Sequence, residues 1–194
     1  MPLFNRCATE VCEGQQWDME FEVAKRVTTQ QYLQMIKLKT AVLLGFALEL
    51  GAVLGGATAK AQTALRNLGI NIGIGFQLAD DLLDVYADQK KFGKQVGGDI
   101  IANKKTYLLI RALEKSKGKD KLELQAWIKN TGHNKNEKVK AVTQLYDKLN
   151  VRSIAEAAIN NHFSKGLNCL KQLQASPERD ELHQFILNLI QRQR

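Results

Sequence analysis

The sequence predicts an all-α protein, a helical bundle, on three observations. Only two prolines, Pro2 and Pro177, interrupt 194 residues, and proline is the residue that helix interiors exclude. Apolar residues recur at spacings of three and four nearly throughout, the period of a helix face. The period-two alternation of a half-buried strand is absent. At this length, with 44% apolar composition, the chain can bury one sizeable core, so residues 1–194 are expected to form a single domain.

The elements follow in order. Val11 and Met19 lie among apolar positions at helical spacing between Phe4 and Phe21 and place the first helix there. Thr28 followed by Gln31 reads as a capping box, and Tyr32, Met35, Ile36, Leu38, Val42, Leu43 and Phe46 supply the buried stripe of the second. Gly51, Gly55 and Gly56 punctuate its end. A third long helix is predicted over 59–85, with Gly69, Gly73 and Gly75 inside it. Each interior glycine costs about 0.8–1 kcal/mol against alanine, so three together point to close backbone approach by a neighbour or ligand. Residues 88–99, rich in glycine and charge, read as a loop. Helices then resume at about 99–115, 119–130, 135–149, 151–174 and 177–192, the last opened by Ser176 as N-cap and Pro177 at the first helical position.

The net charge of +8 sits in the second half, where residues 100–194 hold 18 basic against 9 acidic side chains. No aromatic residues interleave with that charge and no groove-reading motif accompanies it, so solvated loops and helix faces are the expected reading and nucleic acid is not expected as a partner. No run of about 18 apolar residues and no leader-like amino terminus occurs, so neither an integral membrane segment nor secretion is expected. Cys7, Cys12 and Cys169 form an odd set without metal-ligand spacing, which fits reduced thiols and a cytoplasmic location.

The informative anomaly is Phe76-Gln77-Leu78-Ala79-Asp80-Asp81-Leu82-Leu83-Asp84, three carboxylates within five residues of an otherwise apolar helix. Helix periodicity puts Asp80 and Asp84 one turn apart on one face, with Gln77 a turn earlier and Asp81 alongside. Such a cluster is either a solvated acidic face or a site whose repulsion a bound cation relieves. Oxygen ligands without histidine or cysteine favour Mg2+, which bridges carboxylates to substrate phosphates. Lys39 and Thr40 sit mid-helix among apolar residues, Lys94 lies in the glycine-rich loop and Lys104 follows Gly98-Asp99 as the next helix begins. Each lysine alone is compatible with a surface role; together with the aspartates they describe a site for magnesium diphosphate.

These residues resemble the trans-isoprenyl diphosphate synthase (polyprenyl synthetase) family. The Phe-Gln-x-x-Asp-Asp-x-x-Asp segment is similar to its second aspartate-rich motif. Gly14-Gln15-Gln16-Trp17-Asp18, the segment Tyr32 to Thr40, Leu50-Gly51-Ala52, Gly93-Lys94, and Gly98-Asp99 with Lys104 match in order. The resemblance covers residues 11–110 and implies helices around a central cavity, the isoprenoid synthase fold. It implies Mg2+ on Asp80, Asp81 and Asp84, and diphosphate oxygens on Lys39, Lys94 and Lys104. Thr40 and Gln77, with Lys39, would act near the reacting carbons, and Gln15 and Asp18 would point into the cavity. The implied reaction condenses isopentenyl diphosphate with an allylic diphosphate, commonly in a homodimer.

The sequence departs from that pattern in lacking the first Asp-Asp-x-x-Asp motif, the Gly-Lys-Arg block and the arginine pair. The chain is therefore expected to be the carboxyl-terminal portion of a synthase, without its amino-terminal helices and without condensation activity alone. The alternative is a non-catalytic homologue that pairs with a complete synthase and modulates it. Product length stays open.

Overall fold

In the computed structural model, which describes residues 2–87, 96–129, 132 and 134–191, helical spacing becomes helix almost wherever it occurs, and no strand is present among the described residues. The first half comprises α1 (Pro2–Val23), α2 (Thr29–Ile36), a π-helical turn (Lys37–Ala41), α3 (Val42–Leu54) and α4 (Ala59–Tyr86). The second comprises α5 (Gly98–Ile101), α6 (Tyr107–Lys115), α7 (Gly118–Lys129), α8 (Lys135–Lys148), α9 (Val151–Leu170) and α10 (Pro177–Gln191). The caps are those expected. The Thr28 side chain accepts the Gln31 N–H and the Gln31 side chain returns to the Thr28 N–H, at 3.2 and 2.9 Å. Ser176 Oγ accepts the Arg179 N–H at 3.2 Å, a contact of the kind that stabilises a helix start by about 1 kcal/mol.

Helix α4 is the axis of the fold, packed between α3 and α9. Leu68 and Leu78 on it are fully buried. The glycines inside it answer the question that the sequence raises, because neighbours rather than a ligand approach them. A Cβ at Gly69 would stand 2.6 Å from the Leu44 carbonyl oxygen, and one at Gly73 would stand 2.6 Å from Ala41 Cα. On α1, a Cβ at Gly14 would collide with the Lys39 backbone. Small residues thus let α1 and α4 press on the same turn from two sides.

Two expected elements differ. The second helix is continuous only with a π-turn at 37–41, a widened turn that side chains at functional sites often exploit. The predicted helix 99–115 breaks after Ile101, because Asn103 takes a left-handed backbone (φ 54°) and Lys104 to Thr106 run as a connector. Asparagine tolerates that conformation better than other side chains do. Lys104 therefore stands on the connector between α5 and α6 and not at a helix start.

Candidate functional site

The carboxylates of α4 divide by helix position. Leu78, Asp81 and Val85 lie at spacings of three and four along the buried stripe of α4, so Asp81 is carried inward and is only 2% exposed, while Asp80 faces solvent. Asp81 does not share a solvent-facing patch with its neighbours, as periodicity within the motif alone suggested. Its Oδ2 accepts the Tyr32 hydroxyl at 2.5 Å and the Tyr107 N–H at 3.3 Å, and its Oδ1 accepts Gln77 Nε2 at 3.4 Å. Burial pushes the Asp81 carboxyl up to about 7, against the pull of these three donors. Burial, and next the Asp81 charge, raise the Tyr32 phenol well above its ordinary value.

Asp84 turns toward the chain that returns to α4. Its Oδ2 accepts the Asp99 N–H at 2.9 Å and its carbonyl accepts the Gly97 N–H at 2.6 Å. Gly97 has φ 84°, a conformation open to glycine and costly to other residues. Asp99 is thereby set beside Asp84 and Asp80. Burial raises the Asp99 carboxyl, the Lys104 ammonium opposes this, and the Asp84 and Asp80 charges add to the rise.

The cationic side comes from the π-turn and the connector. Lys39 Nζ donates to Asp18 Oδ2 at 2.5 Å, and Thr40 Oγ1 donates to Gln77 Oε1 at 3.3 Å. Lys104 Nζ lies 3.5 Å from Asp99 Oδ1. Burial works against the Lys104 ammonium, but Asp99, Asp81 and Asp18 outweigh it and hold its pKa above the ordinary value. A cavity of about 360 Å³ opens here, with Asp18, Tyr32 and Lys104 as polar lining and Phe21 and Met35 as apolar lining. One bonded series thus runs from Thr40 through Gln77 and Asp81 to Tyr32 at the cavity wall, with the Asp18–Lys39 pair beside it. Gln15 is exposed on α1 and stands outside this network. Lys94 lies outside the described residues.

Sequence reasoning missed Tyr32, Asp99 and the Tyr107 N–H as parts of the site. Tyr32 had a readable signal, since a tyrosine on a buried stripe needs a partner for its hydroxyl. Asp99 and Tyr107 enter only through the path of the connector. Among the described residues no three His, Cys, Asp or Glu side chains converge closely enough to enclose a metal alone. An open Asp80 with Asp84 and Asp99 nearby fits Mg2+, which binds through one or two carboxylates and completes its shell with waters and substrate phosphates. The Asp84 and Asp80 charges that add to the rise of the Asp99 carboxyl are the repulsion that such a cation would relieve.

Comparison with known proteins bears on what the site serves. The family model described as Polyprenyl synthetase matches residues 1–146. A short chain isoprenyl diphosphate synthase of Methanothermobacter thermautotrophicus is 35% identical over 173 residues, 89% of this chain and 52% of that protein. A geranylgeranyl pyrophosphate synthase of Geoglobus acetivorans is 36% identical over 187 residues, 96% of this chain and 56% of that protein. The crystal structure of geranylgeranyl pyrophosphate synthetase from Pyrococcus horikoshii superposes with a TM-score of 0.87 at 32% identity, covering 95% of this chain and 56% of that one. The chain spans about half the length of the relatives it matches.

Proposed function

The chain belongs to the polyprenyl synthetase family, and from that premise we propose that it is one wall of a prenyltransferase that condenses isopentenyl diphosphate with an allylic diphosphate. The observation that carries this reading is that the Thr40–Gln77–Asp81–Tyr32 series and the Lys39–Asp18 pair, drawn from separate stretches of sequence, reach one cavity, which Asp18, Tyr32 and Lys104 line.

Lys39 and Lys104 bind diphosphate oxygens as point charges, with Asp18 holding Lys39 in place. Lys94 is assigned the same role from the sequence alone. Asp80 is the open metal ligand; Asp84 lies beside it and also fixes Asp99, while Asp81 keeps Gln77 and Tyr32 in register. Gln15, exposed on α1, is assigned a substrate contact from the sequence alone. Mg2+, when bound, neutralises charge on the departing diphosphate. In the reaction, the allylic carbon–oxygen bond breaks with its electron pair leaving on diphosphate. The isopentenyl double bond then forms the new carbon–carbon bond, and a proton is lost from the resulting cation. Thr40 and Gln77, joined by a hydrogen bond, present fixed dipoles to that cation.

The chain holds one aspartate-rich motif, and we assign the second acidic wall that condensation needs to a longer polypeptide or a partner subunit. One folding domain over 1–194, a homodimer through the exposed apolar residues Phe4, Leu43 and Leu54, and a cytoplasmic location belong to the same reading. The free cysteines support that location. No helix among the described residues is long and apolar enough to cross a membrane.

Thermal unfolding in the presence of geranyl diphosphate tests the reading. Stabilisation that requires Mg2+ and vanishes with a chelator is expected; equal stabilisation with and without the metal would overturn it.

A further inference from the structure

Helix α8 carries one buried residue that its apolar pattern does not explain. Val142, Leu145 and Tyr146 form its buried stripe, and Lys138, one turn before Val142, lies on that stripe at 7% exposure. Burial lowers the pKa of its ammonium. Lysine is among the residues least often fully buried, so the placement calls for a physical reason. Its Nζ donates to the Ile101 carbonyl at 3.2 Å and to Asn103 Oδ1 at 2.7 Å. Asn103 in turn donates through Nδ2 to the Ile128 carbonyl at 3.1 Å.

The two acceptors define what Lys138 does. Ile101 ends α5, where carbonyls lack helical partners and a cation is favourably placed. Asn103 is the left-handed residue at which the chain leaves that helix and starts toward Lys104. At the other end of α5, a Cβ on Gly97 would strike the side chain of Val139, next to Lys138 on the same helix. Helix α8 therefore clamps both ends of the segment that carries Asp99 and Lys104. Asn103 and Lys104 line the 360 Å³ cavity side by side.

We propose that Lys138 is a positioning residue for the diphosphate site: from the core of α8 it caps α5 and fixes the turn at Asn103, and so sets where Lys104 stands. This rests on the assignment of Lys104 to diphosphate above. Lys138 itself does not reach the ligand.

Lys138→Met keeps the length and removes the donor. In the 194-residue chain, hydrogen exchange of the Ala102 and Lys104 amides, which bond to the Gly98 and Asp99 carbonyls, should accelerate about tenfold or more while core amides of α4 stay unchanged. Binding of inorganic diphosphate with Mg2+ should weaken about three- to tenfold, and by less than about twofold when Lys104 is already alanine. Unchanged exchange, or an equal loss of affinity in both backgrounds, would overturn the proposal. Should Lys138→Met not fold, Asn103→Gly keeps the left-handed backbone and removes the acceptor, and the same two outcomes apply. A parent chain that binds no magnesium diphosphate counts against the proposed function, while exchange rates still decide whether Lys138 holds the connector.

Discussion

On α4, Asp80 and Asp81 are neighbours in sequence, and the rigid helix alone sends one to solvent and the other into the core. Between α5 and α6, Asn103 and Lys104 are also neighbours, but no regular element directs them, and their placement depends on Lys138 and Ile128 from other helices. The acidic region is built from local geometry and the basic connector from tertiary contacts. Substitutions in the two should therefore fail differently, the first by stability at single positions and the second by loss of register without unfolding.

The largest stability effect should fall on Asp81. Asp81→Ala orphans the buried Tyr32 hydroxyl and Tyr107 N–H and should cost about 2–4 kcal/mol in urea denaturation. Asp80→Ala, on the exposed side of the same helix, should change stability by less than about 0.5 kcal/mol. Equal costs would erase the contrast between the two aspartates. Next, Gly73→Ala drives a Cβ into the Ala41 backbone and should cost about 1–3 kcal/mol, visible as a lowered denaturation midpoint. Thr28→Ala removes one half of the capping box and should cost about 1 kcal/mol, with exchange speeded first at the start of α2.

The smallest effect belongs to His162 on α9, whose Nδ1 meets Asn71 Oδ1 on α4 at 3.2 Å. Burial, with Lys165 nearby, lowers the pKa of His162 from the ordinary 6.5. The unfolded chain then takes up the proton more readily than the folded one, so this residue's contribution is present above pH 6.5 and lost as pH falls below it. His162→Gln should flatten that part of the stability profile, and an unchanged profile would remove His162 from the account.

The same contrast explains how much was legible in the sequence. Helices α1, α4 and α10, the caps at Thr28 and Ser176, and the grouping of Gln77 with the aspartates follow from period and spacing. The inward turn of Asp81 was readable too, had Leu78 and Val85 been used as the reference instead of the motif itself. The π-turn at Lys39 was not, because it arises where Gly14 and Gly73 allow two other helices to press on that turn. Nor was the break at Asn103, since asparagine inside a helical pattern signals a left-handed turn only when some partner, here Lys138, holds it there.

The most direct test of the central claim is calorimetric titration of inorganic diphosphate with Mg2+ into the parent chain and into Asp80→Asn. The account predicts metal-dependent binding that weakens about tenfold or more in the variant, about 1.4 kcal/mol, at an unchanged urea midpoint. Binding of equal strength in both proteins would contradict it.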